Sequence, residues 1–426
     1  MKKVRITIVM LVVIMLISNS VYAKTPSVVK LNDVSLVDQG NYFAVSLDIK
    51  KCKSHWDVGK RYAEEILEEV PDYEYLIDSY LAEVTGGDEM YNVLIGRTDD
   101  MKPQINKDYR AEIEGMASKF SAKNANVRGD GKLSTKEMYM FNLFPDIARG
   151  TQCSVLAVYN KRSETNSTIA GRNLDWYAGS QNQLVKVQAV MTIKNGKKSI
   201  CSIGYLGFLG IITGFNDNKV FAAILDSEIG TEYTTESKYS YPLDLRYALE
   251  NKSTLNEVAY FMRYPSRGYT YGHLIFICDP KTASVVENNI SEAPQVVRAT
   301  RTEKSSLNQG IEWGINNAVG AVNSFLLKGN VDNHSEFVHN TERWKSLKEQ
   351  LLSKGDIVTL DEVGQIMTFN KATTGIGQMA DGSIYNDMAQ QIVLFEPENL
   401  NLQVYFRPEA GLSTNPEFET VNVDFR

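Results

Sequence analysis

The sequence predicts an α+β fold in which β-sheets are covered by helices on their outer faces. Apolar residues follow a helical period up to about residue 150, and short strand-like apolar runs begin at Cys153. Helical segments then return before a final hairpin over residues 390–406. Strands, helices and strands in this order are typical of layered α+β proteins.

Two segments before Cys153 have an amphipathic pattern. In the stretch DVGKRYAEEILEEV (57–70), Val58, Tyr62 and Ile66 share one helical face. The stretch YRAEIEGMASKF (109–120) repeats this spacing of apolar residues. We therefore predict that the chain before Cys153 is mostly helical.

Five short apolar runs follow, separated by Asn, Gly, Lys and Asp residues. Their length and their flanking turn residues predict strands joined by tight turns. The runs cover residues 154–159, 168–172, 184–193, 209–215 and 220–225.

Helices and strands alternate in the remainder of the chain. Thr254 and Glu257 form a capping-box pattern, which predicts that a helix starts there. Predicted elements are helices over 241–250 and 254–263, strands over 273–279 and 283–288, helices over 341–354 and 360–369, and a hairpin of 390–396 with 400–406.

The first 23 residues have the pattern of a secretory signal peptide. Lys2, Lys3 and Arg5 precede an apolar run over residues 6–17, and Ala23 ends a small-residue cleavage pattern. A membrane anchor is the alternative, but the run is shorter than the roughly 20 apolar residues that a span needs. We therefore predict an exported protein that is cleaved after Ala23.

The charge balance argues against a nucleic-acid partner. The formal net charge is −7, and removing the signal peptide takes away three basic and no acidic residues, which gives −10. The remaining chain has no basic stripe. With 43% hydrophobic residues, it can bury the core of one large domain or two ordinary ones.

Familiar catalytic motifs are absent from the sequence. It contains no G-x-S-x-G elbow, no P-loop and no H-E-x-x-H motif. The four histidines, His55, His273, His334 and His339, leave little for a histidine-based triad or a zinc site. We therefore predict a reaction without metal or cofactor.

The stretch NVRGDGKLSTKE resembles a calcium-binding loop. Asn126, Asp130, Ser134 and Glu137 fall at the first, fifth, ninth and twelfth positions of that loop. Arg128 occupies the third ligand position, where a positive charge opposes calcium. We favour a turn without metal before the next helix, and calcium binding is the alternative.

Four cysteines are too few for a disulfide scaffold in an exported chain of this size. They are Cys52, Cys153, Cys201 and Cys278. If Cys153 is a free thiol, the other three form at most one bridge, and the sequence does not choose the pair.

Cys153 opens an apolar run, where a buried structural cysteine is the ordinary interpretation. The stretch GRNLDW, however, places Arg172 and Asp175 three residues apart inside the next strand-like segment. If cleavage frees the α-amine of Cys153, Asp175 can hold that amine and Arg172 can lie near the thiolate. An amine with an ordinary pKa of about 8 is a general base, so that no histidine is required.

These residues carry a resemblance to a known family. Cys153-Ser154, GRNLDW, LGIITGFNDNKVFAAIL, GAVNSFLL and NTERW occur in the order found in N-terminal nucleophile (Ntn) amidohydrolases. From about residue 105 to 410 the chain resembles the isopenicillin N acyltransferase-like and acid ceramidase-like branch, and more distantly the choloylglycine hydrolases. The resemblance implies an αββα sandwich, in which two antiparallel sheets lie between helical layers.

The resemblance also implies that the chain cuts its own Gln152–Cys153 bond. The products are then a mainly helical segment, residues 24–152, and a catalytic segment, residues 153–426, which remain associated. Cys153 becomes the N-terminal nucleophile of the second segment.

The resemblance assigns roles to three further residues. Asn323 matches an asparagine whose side-chain amide donates to the oxyanion, and Arg343 matches a downstream structural or site arginine. The second oxyanion donor, a main-chain N–H, falls around Ser227. Without the family, Asn323 and Arg343 are equally well interpreted as residues of helix surfaces.

The resulting prediction is a secreted hydrolase that cleaves the linear amide bond of an N-acyl substrate through a thioester. Export disfavours an acyl-CoA substrate, because CoA thioesters are intracellular. Candidate substrates are N-acyl amino acids, N-acylethanolamines, ceramide-like membrane lipids, bile-salt conjugates and β-lactam side chains. The stretch GYLGFLGIITGF (204–215) either lines an acyl pocket or belongs to the core. The alternatives are an acyltransferase of the same family, a phospholipase B-like esterase and a non-catalytic secreted scaffold.

Overall fold

Two β-sheets face each other at the centre of the structure, a computed structural model that describes residues 33–148, 152–227, 234–290, 297–330 and 334–425. Within these residues one sheet has nine strands and the other has six. Neighbouring strands are antiparallel except for one parallel pair in the nine-stranded sheet. The predicted signal peptide, residues 1–23, lies outside the described residues.

The described chain begins with a hairpin that the helical pattern did not predict. Its strands are β1 (Val34–Asp38) and β2 (Phe43–Asp48), and β2 pairs in parallel with a strand that follows Cys153. Six helices come next, two of which match the predictions over 57–70 and 109–120. They are α1 (His55–Glu69), α2 (Tyr73–Thr85), α3 (Asp88–Met101), α4 (Lys107–Ala117), α5 (Thr135–Asn142) and α6 (Phe144–Ala148).

The nine-stranded sheet has the order β1-β2-β5-β6-β7-β8-β9-β10-β11. Its later strands are β5 (Gln188–Asn195), β6 (Lys198–Tyr205), β7 (Thr213–Asn216), β8 (Phe221–Asp226), β9 (His273–Cys278), β10 (Ala283–Asn288) and β11 (Arg298–Arg301). The predictions missed β6 and β11. The strand predicted over 209–215 begins only at Thr213, because Leu209 N–H donates to the Asn142 side chain and Ile211 N–H to the Pro242 carbonyl.

The six-stranded sheet has the order β12-β3-β4-β13-β14-β15. Its strands are β3 (Gln152–Val158), β4 (Ile169–Asp175), β12 (Ala318–Ala321), β13 (Ala389–Glu396), β14 (Asn401–Phe406) and β15 (Glu419–Val421). The predicted hairpin of 390–396 with 400–406 therefore forms two neighbouring strands of this sheet, β13 and β14.

Helices cover the outer face of each sheet, so the predicted αββα order is confirmed. In the nine-stranded sheet, α1 contacts β1, α7 (Tyr241–Asn251) contacts β6, and α8 (Leu255–Met262) contacts β9. On the six-stranded sheet, α9 (Val338–Ser353) contacts β12 and α10 (Leu360–Met367) contacts β4. Between the sheets, Phe215 and Phe221 stack on Phe395. Among the described residues, no helix is both long and apolar enough to cross a bilayer.

Reciprocal side-chain and backbone bonds start three of the helices. The capping box predicted at Thr254 and Glu257 is present at the start of α8. The same motif opens α5 through Ser134 and Glu137, and it opens α10. Each motif satisfies N–H groups that the first helical turn leaves without intrahelical partners.

Two glycines allow α1 and α4 to pack closely. A Cβ atom at Gly59 of α1 would overlap the backbone carbonyl of Glu112, and one at Gly115 of α4 would overlap that of Trp56. Because backbone atoms cannot rotate away as a side chain can, both positions require glycine.

We predict that Gly59→Ala lowers the free energy of unfolding by at least about 3 kcal/mol, since it forces the two helices apart. Gly96→Ala is the matched control: Gly96 is an exposed residue inside α3 with no atom near its added Cβ. The control should gain about 0.5–1 kcal/mol from helix propensity. Urea unfolding measures both changes, and equal stabilities would contradict the packing argument.

Candidate active site

Cys153 lies at the start of β3 and points into the space between the sheets. Its side chain is fully buried, and its Sγ atom lies 3.6 Å from the carbonyl oxygen of Ile224 on β8 of the facing sheet. Gln152 pairs with Asp175, and Cys153 pairs with Leu174, in the β3–β4 ladder. This register brings the predicted residues of β4 beside the start of β3.

Arg172 is fully buried and contacts the thiol. It pairs with Val155, two residues beyond Cys153, so that both side chains occupy the same sheet face. Arg172 Nη2 lies 3.2 Å from Cys153 Sγ and 3.2 Å from the Ile224 carbonyl oxygen. The structure therefore brings this predicted residue to the thiol.

The thiol is neutral in this uncut chain. Burial, assisted by the negative charges of Asp175 and Asp226, raises the pKa of Cys153 to about 12, even though Arg172 and Arg343 act to lower it. Reactivity at neutral pH therefore needs an additional positive charge or proton acceptor near Sγ.

Asp175 is buried at the end of β4. Its carboxylate accepts hydrogen bonds from Asn173 Nδ2 at 2.9 Å and Asn386 Nδ2 at 3.1 Å, and lies 3.8 Å from Arg343 Nη1. Burial raises the pKa of Asp175 to about 6, although the neighbouring Arg343 and Asn386 lower it. The carboxylate therefore neighbours the start of β3 but bonds to these side chains rather than to the Cys153 nitrogen.

Asn323 follows β12 and holds the backbone nitrogen of the candidate nucleophile. Its Oδ1 accepts from Cys153 N–H at 2.8 Å and from Arg343 Nη2 at 3.0 Å. Its Nδ2 donates to the Asp226 carbonyl at 2.9 Å. Asn323 is fully buried, so it is not a helix-surface residue. In this uncut state the oxygen, not the amide nitrogen, faces Cys153.

Arg343 joins the separate parts of the site. Its side chain, fully buried on α9, donates to successive residues of β3: Gln152 Oε1 at 2.9 Å, the Cys153 carbonyl at 2.6 Å and Ser154 Oγ at 3.0 Å. It also donates to Asn340 Oδ1 at 2.9 Å. Arg343 therefore holds the Gln152 side chain on one side of the Gln152–Cys153 bond and the Cys153 carbonyl on the other.

Ser227, the residue predicted to supply a main-chain donor, is buried directly after β8. Its N–H donates to the Gly272 carbonyl at 3.2 Å. A role for this N–H in oxyanion binding would require that bond to open. Residues 228–233 lie outside the described residues.

The sequence predictions missed several residues that touch the site. Asp226 accepts from Asn323 through its carbonyl, and Tyr241 donates to its side chain at 3.0 Å. Asn340 bonds both Arg343 and the Asn323 carbonyl. A polar residue at the end of an apolar run, as in AILDSE, was the available signal for Asp226.

Hydrogen bonds within the protein organise the calcium-loop-like segment. Ser134 and Glu137 form the capping box of α5, and Asn126 Oδ1 accepts from Ser134 Oγ at 2.5 Å. Asp130 accepts from the backbone of Lys132. Among the described residues, no group of three or more His, Cys, Asp or Glu is placed to hold a metal ion.

The four cysteines, all within described segments, are free thiols. Cys201 and Cys278 are buried in strands of the nine-stranded sheet, whereas Cys52 is partly exposed. Cys153 is distinguished by a guanidinium nitrogen, Arg172 Nη2, that lies 3.2 Å from its sulfur atom.

We predict that Arg343→Lys lowers the free energy of unfolding by about 3 kcal/mol, because one ammonium cannot replace several buried guanidinium bonds. The test uses a Cys153→Ala background, so that every protein compared has the same uncut backbone. Arg162→Lys is the control, since Arg162 bonds two carbonyl groups at an exposed site. Stability is measured by urea unfolding. Equal midpoints for Arg343→Lys and Arg162→Lys would contradict the central role of Arg343.

The raised pKa of Asp175 predicts a pH-dependent stability. The unfolded carboxyl has a pKa of about 3.9, so between about pH 4 and 6 the folded chain holds a proton that the unfolded chain has lost. The stabilising contribution is therefore complete below pH 4 and is lost as the pH rises through about 6, by about 3 kcal/mol.

In the same Cys153→Ala background, Asp175→Asn should lack this loss. Between pH 4 and 7 its unfolding free energy should gain about 3 kcal/mol relative to the parent, with the exposed Asp361→Asn as control. Parallel curves for parent and Asp175→Asn would show that the Asp175 carboxyl is not destabilised by burial.

The chain resembles known proteins in its backbone structure but not detectably in its sequence. No protein-family model and no curated protein sequence matches it. Solved structures do. One is the Caenorhabditis elegans N-acylethanolamine-hydrolyzing acid amidase ortholog, with 14% identity and a TM-score of 0.40 over 57% of this chain and 93% of that chain.

Two bacterial structures are similar to the same extent. A mutant conjugated bile acid hydrolase from Clostridium perfringens has 13% identity and a TM-score of 0.37, covering 64% of this chain and 97% of that one. Penicillin V acylase from Agrobacterium tumefaciens has 11% identity and a TM-score of 0.37, covering 63% and 86%. What the site can do chemically therefore follows from the side chains around Cys153.

Proposed function

We propose that this protein is an amidohydrolase that cuts its own chain before Cys153 and then uses Cys153 to cleave the linear amide bond of an N-acyl substrate. One observation carries the proposal. Both reactive atoms of Cys153 are held by buried side chains, since Arg172 contacts Sγ at 3.2 Å and Asn323 binds the backbone nitrogen at 2.8 Å.

The first step is scission of the Gln152–Cys153 bond. Sγ attacks the Gln152 carbonyl carbon, the C–N bond breaks, and the thiol proton ends on the Cys153 nitrogen, which becomes an amine. Water then adds to the thioester, which releases the Gln152 carboxylate and restores the thiol. Arg343 orients this segment through the Gln152 side chain and the Cys153 carbonyl.

The freed amine then acts as the base for substrate cleavage. It accepts the thiol proton while Sγ bonds to the substrate carbonyl carbon, and it returns the proton to the leaving nitrogen. Water hydrolyses the resulting thioester. Asn323 lies within reach of this centre, and turning its amide nitrogen toward the oxyanion would supply up to about 3 kcal/mol.

The proposal includes two fragments that remain associated. Arg246 on α7, after the cleavage point, donates to both carboxylate oxygens of Glu112 on α4 at 2.6 and 3.0 Å, and both side chains are buried. Separating the fragments would break this buried two-point ion pair, although Glu112 also bonds His55 and Arg246 also bonds Glu250 within their own fragments. The β2–β5 pairing joins the same two fragments.

The deciding experiment compares intact masses of the wild type, Cys153→Ala and Cys52→Ala under denaturing conditions. We expect two fragments that meet at Gln152–Cys153 in the wild type and in Cys52→Ala, and one chain in Cys153→Ala. The residue-52 variant is the control because it removes a thiol that is only partly buried.

Turnover is then measured on N-acyl amides and on esters with the same acyl groups. We expect amide hydrolysis by the wild type and loss of at least about a thousandfold in Cys153→Ala. Retained amide cleavage in that variant would overturn the assignment. Faster cleavage of the esters would favour an esterase, and an uncut, inactive wild type would favour a scaffold. Export through residues 1–23 stays part of the proposal.

A further inference from the structure

Tyr205 projects from the nine-stranded sheet into the space between the sheets. Phe215 on β7 packs against Phe395 of the other sheet, with ring centroids 4.3 Å apart, so the face of β7 that carries Phe215 points inward. Cys201 on β6 pairs directly with Phe215 and therefore shares its face. Because side chains alternate along a strand, Tyr205, four residues after Cys201, points inward as well.

Three other polar side chains enter the same space. Thr213 precedes Phe215 by two residues and shares its face. From the six-stranded sheet, Gln391 lies in one row with Leu174 and Cys153, and Arg172 lies in the next row. Gln391 Nε2 donates to the Gly204 carbonyl at 3.0 Å, which places it beside Tyr205.

These four side chains carry hydrogen-bonding atoms without partners among the described residues. The atoms are Arg172 Nε and Nη1, Tyr205 Oη, Thr213 Oγ1 and Gln391 Oε1. No side chain of the four is more than 5% exposed. A buried polar atom without a partner costs about 1–3 kcal/mol, so their convergence at one place points to a ligand with hydrogen-bonding groups.

In the proposed reaction, these four polar side chains face the acyl portion of the substrate rather than its amine portion. In the proposed reaction the leaving nitrogen receives its proton from the Cys153 amine, so the amine portion of the substrate lies at the start of β3. Arg172 pairs with Val155, farther along the strand, and therefore lies on the opposite side of Sγ. Because Arg172 also contacts Sγ, a group bound by its free nitrogens lies roughly one or two bonds from the scissile carbonyl.

We propose that Arg172, Tyr205, Thr213 and Gln391 form a polar acyl pocket that binds a hydroxyl group on the carbon next to the scissile carbonyl. A hydroxyl oxygen has two lone pairs and one hydrogen, so it can accept from the Arg172 guanidinium and from the Tyr205 or Thr213 hydroxyl while it donates to the Gln391 amide oxygen. The preferred substrate is then the amide of a 2-hydroxy acid rather than of an unsubstituted fatty acid. This inference rests on the proposed amidohydrolase function.

The test compares two fluorogenic amides of 7-amino-4-methylcoumarin, one with a hexanoyl and one with a 2-hydroxyhexanoyl group. We expect the wild type to favour the hydroxylated amide by about tenfold or more in kcat/KM. Tyr205→Phe and Thr213→Val should each reduce this ratio to below about threefold. Tyr159→Phe is the control: its hydroxyl bonds Glu303 at the other end of β3, and its ratio should equal that of the wild type.

Stability separates a lost binding group from a folding defect. Tyr205→Phe and Thr213→Val remove hydroxyls without protein partners, so their urea midpoints should equal or exceed that of the wild type. Equal turnover of both amides by the wild type, or an unchanged ratio in Tyr205→Phe, would overturn the polar pocket and leave the amidohydrolase proposal intact.

If the wild type hydrolyses neither amide, the pocket is tested by binding alone. Calorimetry on Cys153→Ala would compare 2-hydroxyhexanoate with hexanoate. If Cys153→Ala binds the hydroxy acid more tightly, and adding Tyr205→Phe removes this preference, the polar pocket is supported even though the reaction was not observed. Equal binding of the two acids would reject the pocket as well.

Discussion

The buried guanidinium of Arg343 is the interaction on which the site depends. It bonds three successive residues at the start of β3, and it also holds Asn323 and Asn340. A cation without solvent contact is tolerated because oxygen atoms surround it and Asp175 lies 3.8 Å away. The backbone around the Gln152–Cys153 bond is therefore held in one position before any reaction.

Burial shifts the pKa values of the two titratable groups of the site, the Cys153 thiol and the Asp175 carboxyl, in the same direction. The Cys153 thiol and the Asp175 carboxyl both have raised pKa values because they are taken out of water. Two guanidinium groups act against this effect, one beside the sulfur atom and one beside the carboxylate. Scission would add an amine at the Cys153 nitrogen, and when this amine accepts the thiol proton the site would hold a thiolate beside an ammonium, which the uncut chain does not have.

The sequence itself determined the part of the site that lies on one hairpin. Strand alternation and the short connection between β3 and β4 place Arg172 on the same sheet face as Cys153, and they place Asp175 opposite Gln152. The stretch GRNLDW was therefore sufficient to predict that both residues lie near Cys153. Most helices and strands could also be predicted from the sequence, because each has a local pattern of apolar residues. The strands β1, β2, β6, β11, β12 and β15 were not predicted, because their short, mixed patterns do not show which sheet they join.

Tertiary structure alone decided what meets Cys153 from distant segments. Ile224 and Asp226 arrive from the facing sheet, Asn323 from the end of β12 and Arg343 from α9; only the family resemblance marked the last two. Tyr205 and Thr213 stand in a stretch whose composition fits an apolar core, yet their buried hydroxyls have no partners among the described residues, and Gln391 of the facing sheet bonds the residue before Tyr205. Apolar periodicity predicts that one face of a strand is buried. It does not predict which side chains of the facing sheet lie opposite, because contacts between sheets depend on how the whole chain folds.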